Sequence, residues 1–218
     1  MRSPLPEPLL DLAIVQSALA DAYDAVTRGA RSRLLAAMAA GQAPYAGDAP
    51  EAITDQLHRD CRALAALEDH VAADVGRDYA AEAQLLLTNI LLASAMGVLK
   101  LRGLATAGRL TDESTEILVG QFDAVVAECR TLMLRKNHDY GDSWKHMRIP
   151  SITDQMLVKV LRLIQLEELD AQGRASQVAE GRESEYKDIF NYAVFELLKL
   201  TWDGAKPDAV ERRFSRAS

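Results

Sequence analysis

The run ITDQMLVKVLRLIQLEEL at residues 152–169 decides the fold class. Ile152, Met156, Val160, Leu163 and Leu166 recur at intervals of three and four, the period of an α-helix. Leu157, Val158, Leu161 and Ile164 cover much of the remaining surface, and a helix apolar nearly all round is buried on most sides. Its first four residues, Ile152-Thr153-Asp154-Gln155, also occur as Ile53-Thr54-Asp55-Gln56, 99 positions earlier. The segment is therefore a core helix, and one that the chain makes twice.

The same offset of 99 aligns Asp24-Ala25-Val26 with Asp123-Ala124-Val125, and Arg31 with Arg130. It also pairs Leu67-Glu68 with Leu166-Glu167 and Leu99-Lys100-Leu101 with Leu198-Lys199-Leu200. One ungapped offset over so long a stretch marks a tandem repeat. Runs of helical period predict helices near 9–40, 51–70, 78–102, 112–137, 151–171 and 183–203, with a short one near 207–215. No alternating β-branched run is present, so the class is all-α. The expected architecture is a pseudo-symmetric helical bundle of two three-helix units, 22–101 and 121–200, each covering the other's apolar stripes. The chain then divides in two. Residues 1–105 form a degenerate copy with an N-terminal extension, and 106–218 form a second copy with the short C-terminal helix.

Composition narrows the function. A net charge of -7 and a pI near 5.2 argue against a general nucleic-acid binder or a ligand of anionic membranes. Cys61 and Cys129 both fall inside helical patterns and read as buried thiols. The N-terminal MRSPLPEPLL lacks the layout of a signal peptide. The apolar run Leu85–Leu99 is interrupted by Thr88, Asn89 and Ser94, so no membrane span is expected there and the expected location is cytoplasmic.

The repeat also sorts residues into shared and private ones. RKNHDYG at 135–141 aligns with AAMAAGQ at 36–42. Lys159 aligns with Asp60, Arg162 with Ala63, Glu185 with Leu86, Asp188 with Asn89, Asn191 with Leu92 and Tyr192 with Ala93. The second copy thus holds a polar set that the first lacks. Lys159 and Arg162 share a helix face one turn apart, and Glu185, Asp188 and Tyr192 share one at i, i+3 and i+7. Two readings stay open. The four charges form a buried ion-pair network joining two helices, or the carboxylates hold a hard cation while the cations meet phosphate. Asp154 is likewise either a ligand or the third helical position of a capping box begun by Ser151. In the connection RKNHDYGDSW at 135–144, Gly141 suits a positive φ, and Tyr140 and Trp144 either pack on the bundle or wall a base. His138 and His146 lack a spacing that specifies zinc.

These segments resemble the nucleotide-modification-associated domain, type 1, of phages and bacteria, a family related to the MazG-like all-α NTP pyrophosphatases. The family's K-N-x-D-Y-G start falls on Lys136, Asn137, Asp139, Tyr140 and Gly141. Its K-x-x-R falls on Lys159 and Arg162, and its acid followed by D-x-x-N-Y falls on Glu185, Asp188, Asn191 and Tyr192. The resemblance covers about 120–200, with 22–101 as an eroded tandem copy. It implies a MazG-like bundle and a nucleotide ligand, a deoxynucleoside triphosphate first. It further implies Mg2+- or Mn2+-assisted hydrolysis to pyrophosphate and a nucleoside monophosphate. Glu185 and Asp188 would hold the metal, and Lys159, Arg162 and Lys136 would neutralise phosphate. Tyr140 and Trp144 would flank the base, beside Asn137, Asp139, Asn191 and Tyr192. Related sequences carry acids just before the K-x-x-R lysine, where this chain has Leu157 and Val158, which leaves Asp154 as the remaining metal candidate on that helix. The alternative is a non-catalytic nucleotide-binding or assembly module with a structural ion-pair network. The partners expected are a nucleotide and, as an assembly, a second copy in a homodimer.

Overall fold

The computed structural model describes residues 7–71, 79–104, 111–174, 181–202 and 205; the helix expected at 207–215 lies outside them. Among the described residues the chain is all-α, with no strand. The helices are α1 (Glu7–Ala39), α2 (Pro50–Val71), α3 (Tyr79–Leu101), α4 (Asp112–Tyr140), α5 (Ile149–Ala171) and α6 (Arg182–Thr201), with a 3-10 turn at Ser143–His146.

Local chemistry sets the ends. α4 starts on Thr111, whose side chain accepts from the Ser114 amide while the Ser114 hydroxyl accepts from the Thr111 amide, a reciprocal cap. α3 stops at Gly103 (φ 67°), where the Gly103 and Leu104 amides bond back to the carbonyls of Lys100 and Leu99. α5 departs from the sequence expectation twice: it is not buried all round, since Val158 and Leu161 are about half exposed on its outer face, and its start differs. It begins at Ile149 on an Arg148 N-cap that makes no side-chain bond, with Pro150 already in the first turn. A proline fits there because the amide it lacks would have had no helical partner. Asp154 is therefore beyond the first turn and is no capping-box residue.

α2, α3, α5 and α6 pack as a ring of four, and α1 and α4 lie together against α3 and α6. One continuous core draws on all six helices. α3 is buried over nearly all of its second half; by length and composition alone it could cross a membrane, and most of its apolar window is buried in this core. The centre holds a small–large fit. The Tyr186 ring lies so close to Gly97 that a Cβ there would fall 2.4 Å from Tyr186 Cε1. Cys61 and Cys129 are buried free thiols, and burial pushes each up to about 12.

Contacts between the two segments recur with their partners exchanged. Arg31 Nε lies 2.9 Å from Asp123 Oδ1, and Arg130 Nε lies 2.8 Å from Asp24 Oδ1. Thr54 donates to Glu167 (2.6 Å), and Thr153 donates to Glu68 (2.5 Å). Lys100 donates to the Ala46 carbonyl and Lys199 to that of Lys145. These exchanged contacts tie the two segments 22–101 and 121–200 to each other. The Arg31–Asp123 pair is over 40% exposed on both sides, so water screens it. A double-mutant cycle on Arg31→Ala and Asp123→Ala is expected to return a coupling of less than about 1 kcal/mol by urea denaturation.

Candidate functional site

The site is built by the end of α4, the 3-10 turn, the middle of α5 and α6. The stretch 135–144 is not the open connection its composition suggests. Helix continues through Tyr140, and only then does Gly141, at φ 62°, turn the chain. Asn137, in that last helical turn, braces the 3-10 turn beyond it. Its Nδ2 donates to Asp142 Oδ1 (3.0 Å), and its Oδ1 accepts from Trp144 Nε1 (3.1 Å). Lys145 Nζ closes the turn on Asp142 Oδ2 at 2.6 Å. Trp144 is buried and stacks on Phe195 of α6, with ring centroids 4.8 Å apart and planes 10° off parallel. One aromatic face is thus already used in packing, one of the two roles left open for Trp144. A base could meet only what remains of its lining surface.

Beside this turn lies the charged cluster. Lys159 Nζ is 3.0 Å from Glu185 Oε2 and 3.0 Å from Asp188 Oδ2, and Lys136 Nζ is 2.7 Å from Asp188 Oδ1. Glu185 is buried, Asp188 nearly so, and Lys136 half exposed. Burial alone would lower the Lys159 pKa, but its close ion contacts with Asp188 and Glu185 outweigh it and hold this ammonium above its ordinary value. Tyr192, one turn past Asp188, is raised by burial and then by the Asp188 charge.

A groove of about 280 Å³ opens against the cluster, lined by Lys136, Asn137, Trp144, Met147, Tyr192 and Phe195, with Gly141 and Ser143 at its edge. A smaller hollow of about 70 Å³ joins Lys136, Asp188 and Tyr192 on the same side. Another hollow of about 370 Å³, between α1, α3 and α6, has no charged side chain in its lining.

The remaining expected residues divide. Asn191 is buried, with both ends engaged: Oδ1 accepts from Tyr23 and Nδ2 donates to the Cys129 carbonyl. Asp139 is exposed beside His138 (3.2 Å) and does not join the cluster. Arg162 is half-buried, with Nη1 3.5 Å from Gln165 Oε1. Asp154 is exposed, five residues before Lys159 and about 140° round the helix from it. The Tyr140 side chain lies outside the described residues. Phe195 is the residue that sequence reasoning missed. Its signal was present, since it comes seven residues after Asp188 and three after Tyr192, the spacing of one helix face.

The donor set suits Mg2+ or Mn2+ only in part. Two carboxylates from one helical turn converge on a single cationic point, which the Lys159 ammonium takes here. The buried Glu185 Oε2 has that ion contact but no donor in hydrogen-bond geometry. Such a pair fits Mg2+, which takes one or two carboxylates and completes its shell from phosphate and water. Lys159 must withdraw for the ion to enter. Among the described residues no group of three His, Cys, Asp or Glu side chains is placed to hold a metal by itself.

The molecule is thus an all-α bundle with a charge-balanced carboxylate–lysine cluster beside an aromatic groove. Residues 136–200 match the family model described as nucleotide modification associated domain 1, a segment that spans the last turn of α4, the 3-10 turn, all of α5 and α6 up to its last residue. Comparisons with curated proteins and with solved structures find no match.

Proposed function

We propose that this chain binds a nucleoside triphosphate, a deoxynucleotide first, as its Mg2+ or Mn2+ complex in the Lys136–Phe195 groove. The reaction is hydrolysis to pyrophosphate and a nucleoside monophosphate, as in MazG-like pyrophosphatases. The observation that carries this reading is the convergence of Glu185 and Asp188 on one cationic point at the groove's edge. In the free protein two lysines balance two carboxylates. Glu185 and Asp188 would hold the metal, Lys159 and Lys136 would neutralise phosphate oxygens, and Arg162 lies one turn further along α5. Each charge exchanges one partner for another, so none is left bare in a partly buried site. When bound, the metal supplies Lewis-acid polarisation and lowers the pKa of the attacking water. Tyr192, Phe195 and the accessible edge of Trp144 bound the base, and Asn137 holds Trp144 in position.

A second reading, a nucleotide-binding module without turnover, is favoured by a specific observation: Lys159 already occupies the cation position, and no acid stands at Leu157 or Val158. A panel of all NTPs and dNTPs with Mg2+ or Mn2+ separates the two. Pyrophosphate release with at least one nucleotide is the expected result. Metal-dependent binding by calorimetry without release selects the module. No binding to any nucleotide refutes both readings.

A further inference from the structure

Away from the groove, one residue from each helix of the inner ring meets at a single point: Glu68 of α2, Tyr79 of α3, Thr153 of α5 and Glu196 of α6. Glu196 is completely buried. Thr153 Oγ1 lies 2.5 Å from Glu68 Oε1 and 3.1 Å from Glu196 Oε2. The Tyr79 hydroxyl lies 3.5 Å from Glu68 and 3.4 Å from Glu196. No cation among the described residues contacts either carboxyl group. Asp154 and Asp69 add negative charge toward Glu68, and the Cys61 thiol faces Glu196 from α2.

If both acids are ionised, two hydroxyl hydrogens, one each from Thr153 and Tyr79, must serve four contacts, and the longer Thr153 contact is left without one. Thr153 has one hydroxyl hydrogen, and the shorter contact gives it to Glu68. The 3.1 Å contact to Glu196 then sets two bare oxygens against each other unless Glu196 supplies the hydrogen. The other segment shows a related arrangement, with a tyrosine hydroxyl, shared between Thr54 and the Pro50 carbonyl, in place of the acid. Gly97 stands where Glu196 does, 99 positions earlier, and the space over it is filled by Tyr186, the counterpart of Leu87. The Tyr186 hydroxyl lies 2.7 Å from Thr54 Oγ1, and Thr54 donates to Glu167 at 2.6 Å. In that cluster a threonine stands between a neutral O–H and a carboxylate. Glu196 occupies the neutral O–H position in the other.

We propose that Glu196 is a protonated carboxylic acid in the folded bundle, donating to Thr153, which donates to Glu68, and that loss of this proton loosens the junction of α2, α3, α5 and α6 as pH rises. α6 carries both this relay and the groove, so the device acts on the helix that holds Asp188, Tyr192 and Phe195. Burial, then the Glu68 charge, push Glu196 from an ordinary 4.5 up to about 8. A carboxyl group whose folded pKa lies above its unfolded one gives stability that is complete below pH 4.5 and lost as pH rises to about 8.

Two measurements test this on the full chain. Carbon-13 NMR of side-chain carboxyl groups is expected to show one Glu resonance titrating near pH 8, absent from Glu196→Gln. Melting temperature is expected to fall between pH 5 and 8 in the wild type by several degrees more than in Glu196→Gln, whose amide keeps the donor at every pH. A wild-type spectrum in which every Glu has ionised by pH 6 overturns the proposal, whether or not the variant folds. So does an equal pH slope in the two proteins.

Discussion

Asp188→Asn is expected to weaken metal-dependent nucleotide binding by roughly two orders of magnitude, about 3 kcal/mol, and to abolish any hydrolysis. The change is close to isosteric, and asparagine already stands at the matching position of the first segment, Asn89. It removes one of the two anions that converge on the Lys159 ammonium. The free protein tolerates it better than the ligand does. Lys159 keeps Glu185 at 3.0 Å, and Lys136 is half exposed and passes to water. The stability cost therefore lies between that of an exposed and a buried pair, roughly 1–2 kcal/mol, or a few degrees in Tm. Calorimetry with and without Mg2+, beside a melting curve, reads both effects. The idea fails if wild-type protein is indifferent to Mg2+, Mn2+ and every nucleotide. It also fails if the variant binds nucleotide as tightly as the wild type does.

Gly97→Ala is expected to be among the most destabilising single-methyl additions in this chain. In most helices it would help, since glycine costs about 1 kcal/mol relative to alanine. Here the new Cβ would lie 2.4, 2.6 and 2.7 Å from three atoms of the Tyr186 ring. That ring cannot swing aside cheaply. It is fully buried, and its hydroxyl is held by Thr54 at 2.7 Å and by the Pro50 carbonyl at 3.2 Å. With three ring atoms inside 3 Å, the overpacking cost lies at the upper end of the usual range, about 3 kcal/mol, which less the propensity gain leaves a net loss of about 2 kcal/mol. In a chain of this length that lowers Tm by roughly 4–8 °C. Tyr186→Leu, which copies Leu87, is expected to recover part of the loss in the double variant, a coupling that two independent sites would not show. A neutral or stabilising Gly97→Ala would overturn the close packing of α3 on α6.

Much of the fold was legible because both of its signals are periodic. Heptad-like spacing placed the six helices to within a few residues, and the offset of 99 paired Asp24 with Asp123 and Arg31 with Arg130. Their exchanged ion pairs were not foreseen, since a repeat shows which residues correspond but not which ones touch. The contact of Lys159 with Glu185 and Asp188 is what the cost of burying either charge alone demands. What composition hid was the end of α4. The polar stretch 135–140 lacks apolar periodicity because much of that turn faces solvent, yet it remains helical until Gly141. Trp144 illustrates a different limit, since a wall for a ligand and a plug for a core have the same chemistry. Glu196 was overlooked inside the run AVFELLKL, where a lone acid among apolar neighbours is itself the sign of a buried, partnered group.

The Tyr23–Asn191–Cys129 chain bears on how this molecule can be cut. Tyr23 of α1 donates to Asn191, which donates to the Cys129 carbonyl, so one buried amide fastens three helices. The segment recognisable as a domain, 136–200, contains only the middle member. An expression fragment trimmed to those boundaries would also lose Gly97 beneath Tyr186, Thr54 beside Glu167 and Glu68 beside Thr153. It would strand two apolar helices in water with their polar fasteners undone. The unit that folds is thus wider than the unit that can be recognised, and the half without the charged cluster serves as the splint on which the other half is set.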